Sequence, residues 1–188
     1  MNSQEQPSWI RSLIKSNSNN EQLEFWRFVN IAYICSKSGM PESEMIKFKN
    51  IVTDNNTSYL VFVQDNRTKL YQDLEKNPKA ELCWFFPLTR EKYRIKSKII
   101  RISKKDFADN KPEAKFFLEE LKKVWDSLDK EEKKGFAELK PGTKTEEKLS
   151  KAHDDINDYN NPDKIEISEN FALIFVDAFE GICFLLNQ

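Results

Sequence analysis

"VFVQDNRTKLYQDL", residues 61–74, changes its period halfway along. Val61 and Val63 alternate with Phe62 and Gln64 as a strand does, Asp65 and Asn66 are turn formers, and from Thr68 the apolar Leu70 and Leu74 share one helical face. The stretch reads as strand, turn and amphipathic helix, with Arg67 and Lys69 flanking the point where the helix begins. A helix N-terminus carries unpaired N–H groups and partial positive charge, so an anion placed there gains hydrogen bonds and a favourable field together. Thr68 or Asn66 can cap the helix, and either can donate to a phosphate oxygen. The same residues also suit an ordinary capped turn with solvated charges, and composition alone leans that way.

The rest of the chain narrows the choice. Its 188 residues carry four glycines and fit one domain, residues 1–188. A hydrophobic fraction of 39% can build a core, while 32% charged residues and a mean hydropathy of -0.70 imply much solvated surface. Net charge is -1, so no whole-molecule field draws the chain to nucleic acid or an anionic membrane, and any basic site must be local. Cys35, Cys83 and Cys183 lie far apart in apolar segments without metal or redox spacing, which reads as buried free thiols. The opening "MNSQEQPSW" lacks a charged start followed by an apolar run, and no stretch approaches the roughly 20 apolar residues of a membrane span. A cytoplasmic, reducing compartment is expected.

Local patterns give the organisation. "PSWIRSLIKSN" reads as a short helix opened by Pro7, with Trp9, Leu13 and Ile14 on one stripe. "LEFWRFVNIAYIC" is apolar strand, and a second strand over Glu44 to Val52 ends on the turn residues "TDNNTS". After the opening stretch, Asn77-Pro78 stops the helix, and Ala80, Leu82, Trp84 and Phe86 share one strand face. "EKYRIKSKIIRIS" puts Tyr93, Ile95, Ser97 and Ile99 on one face and Arg94, Lys96 and Lys98 on the other. From Pro112 the period becomes helical, with Phe116, Phe117, Leu121 and Trp125 on the buried side. "HDDINDYNNPD" reads as a polar loop, and "FALIFVDAF" and "GICFLLN" as two final strands joined at Glu180-Gly181. The sum is a mainly β, α+β domain: about six or seven antiparallel strands as a meander or barrel, with flanking helices.

These motifs, in this order, resemble the pyridoxamine 5'-phosphate oxidase-like flavin mononucleotide (FMN) proteins, specifically their shorter branch with an FMN-binding split barrel. "EMIKFK" is similar to that family's second strand, "VFVQDNRTK" to its strand and turn before a helix, and "NPKAELCWFF" to the strand that follows. "TREKYRIKSKI" and "VWDSLDKEEKKGFAELKPG" continue the match. The resemblance implies an FMN cofactor and a homodimer with FMN at the interface. It implies that Lys47 and Lys49 of the second strand and Arg67, Thr68 and Lys69 of the turn hold the phosphate. Phe62, Val63 and Gln64 would approach the flavin ring, and Lys92 stands where the family usually has a ring-contacting glutamine. Glu44 stands where an arginine is usual, Arg67 replaces a serine and Val63 a threonine. The C-terminal "GICFLLNQ" lacks the Arg-Leu-His-Asp-Arg-like segment of true pyridoxamine phosphate oxidases.

Binding is therefore better supported than a particular reaction. The leading expectation is a flavin-dependent oxidoreductase acting on a small molecule; the alternative is a non-catalytic split-barrel module that has lost flavin. Catalytic residues are not identified: His153, the single histidine, reads as a surface residue without a catalytic partner. No metal site is expected, since "DDINDYNNPD" lacks the glycine and terminal glutamate of a calcium loop. Nucleic-acid binding along Arg90, Lys92, Arg94, Lys96, Lys98 and Arg101 is the least favoured class, because alternating charges on a strand usually serve solvation.

Overall fold

Six antiparallel strands carry this alternation in the computed structural model, which describes residues 7–107, 114–137, 141 and 166–185. They are β1 (Phe28–Ile34), β2 (Pro41–Asp54), β3 (Thr57–Asp65), β4 (Lys79–Phe86), β5 (Glu91–Ser103) and β6 (Phe171–Leu185). The sheet closes in the order β1-β2-β3-β6-β5-β4, with β4 returning to β1 through the pairs Asn30–Cys83 and Ile31–Leu82. Among the described residues four α-helices flank it: α1 (Ser8–Asn20), α2 (Lys69–Lys76), α3 (Lys115–Asp126) and α4 (Lys130–Gly135). Asn55 and Asn56, both at positive φ, make the tight turn from β2 to β3, a conformation that asparagine tolerates better than most residues.

Strand alternation fills the barrel. Ile31, Leu82, Trp84, Phe86, Tyr93 and Ile95 are all fully buried in one interior cluster. The first half of β6 is buried on both faces, which explains its unbroken apolar run. Ala172, Ile174 and Val176 point into the barrel, whereas Phe171, Leu173 and Phe175 meet α3 on the outside. There Leu118, Leu121, Val124 and Trp125 form the buried face of α3. Leu121 and Trp125 behave as the period implies, but Phe116 and Phe117 are half-buried, because the helix turns Leu118 and Val124 inward instead.

Two expectations need correction. The expected turn at Glu180-Gly181 is absent: β6 runs on to Leu185, with a bulge at the slip from Lys96–Glu180 to Ser97–Ala178. Gly181 serves packing rather than a turn, since a Cβ there would lie 2.5 Å from the Trp9 ring of α1. The three cysteines are free, but only Cys35 is buried. Cys83 is exposed because it falls on the outward parity of β4, and Cys183 is half-buried near the end of β6. His153 and the "HDDINDYNNPD" segment lie outside the described residues. Among the described residues no helix is long and apolar enough to cross a membrane.

Candidate functional site

The turn that opened the reading folds as its residues dictate. The Thr68 hydroxyl caps α2 by accepting from Tyr71 N at 3.3 Å, and Leu70 and Leu74 anchor the helix in the barrel core. Asn66 does not cap; its backbone and side-chain amides donate to the carbonyls of Asn170 and Glu169. Arg67 is bound to its neighbour: Nη2 lies 2.6 Å from Asp65 Oδ2 and Nε 3.0 Å from Oδ1. That bidentate pair is largely shielded from water, which makes it stronger than a surface ion pair.

Lys69 points the other way, to the end of the barrel. Its ammonium donates to Glu42 and, at 3.0 Å, to Asp73 Oδ2. The Tyr33 hydroxyl shares its proton between Glu42 Oε2 at 3.1 Å and Glu44 Oε1 at 3.0 Å. Two carboxylates thus bind one ammonium, and a third, Glu44, joins the cluster through Tyr33. Cys35 Sγ, a Glu42 oxygen and an Asp73 oxygen lie within 4.8 Å of one another, and the Lys69 ammonium supplies the cation among them. The bond from Lys69 holds Glu42 below its ordinary carboxylate range, and the Ser36 hydroxyl does the same for Asp73. Glu42 in turn raises Lys69 above the ordinary lysine value of 10.5.

These shifts set a pH window for stability. Depressed carboxylates contribute fully above their unfolded values, near 4.5 for Glu42 and 3.8 for Asp73, and the contribution is lost as pH falls through the lower folded values. Raised Lys69 contributes below 10.5 and its part is lost as pH climbs through its folded value. Glu42→Gln should therefore lower the urea midpoint at neutral pH, and the gap to the parent chain should close in acid. A gap that is constant with pH would contradict the assignment.

A cleft lies between β2 and α4. Arg27, Lys47, Lys49 and Glu132 give it its polar groups, and Val63, Leu128 and Phe136 its apolar walls, around a cavity of about 220 Å³. Lys47 stands opposite Val63 in the ladder, and its ammonium is 3.0 Å from Glu132 Oε1. The structure therefore brings together Lys47, Lys49 and Val63 out of the residues picked from the sequence. It sets Arg67 and Thr68 at the turn and Lys69 at the barrel end. Gln64 is half-buried beside the turn, its Oε1 3.5 Å from Thr68 Oγ1. Phe62 faces inward, fully buried, with its ring 5.7 Å from that of Phe48. Lys92 lies on β5 outside this cleft, its ammonium 5.4 Å over the Phe184 ring.

Sequence reasoning missed Arg27 and Glu132. Arg27 sits among aromatic residues inside "EFWRFV" and passes for a strand-flanking residue. Glu132 belongs to a legible capping box with Asp129, but nothing local says that it faces β2. The basic row on β5 is cross-braced by acids: Arg94 with Glu81, Lys96 with Glu180 at 3.0 Å, and Arg101 with Glu75 at 3.2 Å. Three of the six cations in that row are thus engaged within the fold.

Comparison with known proteins agrees with this architecture. A structure of a pyridoxamine 5'-phosphate oxidase-related, FMN binding protein from Nostoc punctiforme superposes with a TM-score of 0.75 at 21% identity, covering 94% of this chain and 83% of that one. PhzG from Burkholderia lata, solved with tetrahydrophenazine-1-carboxylic acid, gives a TM-score of 0.69 at 12% identity over 97% of this chain and 82% of that one. In sequence, pyridoxine/pyridoxamine 5'-phosphate oxidase 2 of Arabidopsis thaliana is 26% identical over 117 residues, 62% of this chain. The chain spans about half the length of that curated relative, 54%. Residues 6–103, just over half of the chain, match the family described as pyridoxamine 5'-phosphate oxidase, FMN-binding domain. FMN is the cofactor of that family, and the surplus of cations over acids in the apolar-walled cleft suits the phosphate end of such a cofactor. The fold, the order of motifs and this match together establish that the chain belongs to the FMN-binding pyridoxamine 5'-phosphate oxidase family.

Proposed function

We propose that the protein is a flavin-dependent oxidoreductase that binds FMN and acts on a small-molecule substrate as a homodimer, with the cofactor at the subunit interface. The observation that carries the reading is the cleft where Lys47, Lys49 and Val63 converge from two strands. Lys47 and Lys49 supply positive charge for the phosphate, as do Arg67 and Lys69 where their internal partners release them, and the Thr68 hydroxyl can add a hydrogen bond. Val63 and Gln64 lie at the ring end, with Phe62 backing them from inside the barrel. FMN would supply hydride and electron transfer; the chain's own part is to bind, orient and exclude water.

The size of the cleft supports the dimer. About 220 Å³ is less than the roughly 300–1,000 Å³ usual for a complete small-molecule site. A second copy closing over it would complete the site. Phe28, ladder partner of Lys47 at the edge of the cleft, begins an exposed apolar face with Met45, Phe85 and Phe184, and Lys92 lies on that face. Cytoplasmic residence, in keeping with three free thiols, belongs to the same proposal.

The absorbance spectrum of the protein as isolated tests the reading. It should show bound flavin that is released as FMN on denaturation, and colourless protein that ignores added FMN would reject it. A second reading, a barrel that keeps the fold without flavin, is favoured by the ion pairs that engage Arg67 and Lys69. Dimerisation with no flavin uptake would select it.

A further inference from the structure

The α2 helix has two polar faces. Lys69 and Asp73, four residues apart, share the one at the barrel end, whereas Tyr71, Gln72 and Glu75 border a separate hollow against the end of β5. The opposite wall is Arg101 and Ser103 of β5, followed by Lys105 and Asp106 of the 3-10 turn Lys104–Phe107. The hollow measures about 380 Å³, within the roughly 300–1,000 Å³ usual for small-molecule sites, and shares no residue with the β2–α4 cleft.

The fold fixes most of its charges in advance. Arg101, with 20% of its side chain exposed, lies 4.5 Å over the buried Tyr71 ring. Its Nη1 donates to Tyr71 O at 3.1 Å, and its Nη2 meets Glu75 Oε1 at 3.2 Å. Asp106 Oδ2 accepts from the Ser103 backbone N–H at 2.7 Å and hydroxyl at 3.0 Å. Glu75 Oε2 and Asp106 Oδ1 accept no hydrogen bond among the described residues. Nor does the Lys105 ammonium have a partner there, although its neighbour Lys104 meets Glu169 at 2.9 Å.

Two cations and two carboxylates therefore balance in sum, yet one ammonium and two carboxylate oxygens stay unmatched. A simple anion gains Lys105 but approaches both carboxylates, and a simple cation gains the carboxylates but approaches Lys105 and Arg101. A molecule that carries both charges a few bonds apart is attracted at both ends. The amides of Asn66 and Gln72 complete the lining with donors and acceptors rather than apolar surface.

We propose that this hollow is a second small-molecule site, separate from the flavin site, and that it takes a free α-amino acid with a polar side chain. The carboxylate of the ligand lies on Lys105, its ammonium on Glu75 and Asp106, and its side chain against Asn66 and Gln72. Bound there, the ligand ties α2 to the end of β5. The assignment does not depend on whether the chain binds flavin.

Amide-shift titrations of the isotope-labelled full chain test this, with L-glutamine, L-asparagine, L-glutamate and L-serine as probes. At about 10 mM at least one should shift the amides of Gln72, Glu75, Lys105 and Asp106, since two charge-assisted hydrogen bonds hold so small a ligand at roughly millimolar Kd. The tightest probe is then compared with its N-acetyl form, which lacks the ammonium, and its α-amide, which lacks the carboxylate. Each should bind about tenfold more weakly or worse. Lys105→Met removes a side chain that the fold does not use, so it should leave the melting temperature unchanged. It should weaken the free amino acid by a similar factor and leave the α-amide where it was. Equal binding of the free and blocked forms would overturn recognition of both charges. Shifts confined to residues around Lys47 and Glu132 would overturn this location, and no shift with any of the probes would overturn the site itself.

Discussion

Trp84→Ala should lower the stability of the domain by about 3–5 kcal/mol, the loss typical of removing a fully buried aromatic side chain. Trp84 has no exposed surface and lies at the centre of the barrel's aromatic cluster. Its ring centroid is 4.8 Å from Phe48, 5.0 Å from Phe86 and 6.3 Å from Trp26 in a stacked arrangement. Its indole N–H also donates to the Trp26 carbonyl at 2.7 Å, so truncation opens a cavity and leaves that acceptor unpaired. Urea unfolding measures the effect, and Trp84→Phe, which keeps most of the volume, should recover part of it. A loss under about 1 kcal/mol would mean that the barrel collapses around the gap more readily than packing of this kind allows.

Phe85→Glu should turn the protein into a monomer and, through that, abolish tight flavin binding. Phe85 stands opposite Lys92, which stands opposite Phe184, so the three form one row across β4, β5 and β6 with Phe85 and Phe184 exposed. With Phe28 and Met45 they form the apolar face that the proposed dimer would bury. A carboxylate at its middle would be desolvated without a partner, a cost of several kcal/mol that such an interface cannot absorb. Sedimentation of parent and variant reads the first consequence and FMN titration the second. A parent chain that is monomeric with flavin bound would remove the need for a second copy. A monomeric variant that still binds FMN tightly would show that one chain builds the whole site.

Much of this architecture is legible in short-range pattern. Ala80, Leu82, Trp84 and Phe86 alternate because a strand does, and the Asn55-Asn56 turn and Thr68 cap follow from what those side chains can do within a few residues of themselves. The misreadings share a cause. Glu180-Gly181 looks like a turn locally, yet the glycine is required by Trp9 of α1, more than a hundred residues away. Cys83 looks buried within its apolar segment, but the parity of β4 turns it outward.

By itself the sequence determined the strand and helix periods, the caps and turns, and the run of motifs that carries the family resemblance, because each depends on neighbours a few bonds away. Only the tertiary structure decided which charges are spent and which remain for a ligand. Charges are paired through space, so Lys69 is committed to Glu42, Arg67 to Asp65, and Lys49 to no acid among the described residues once the barrel has closed.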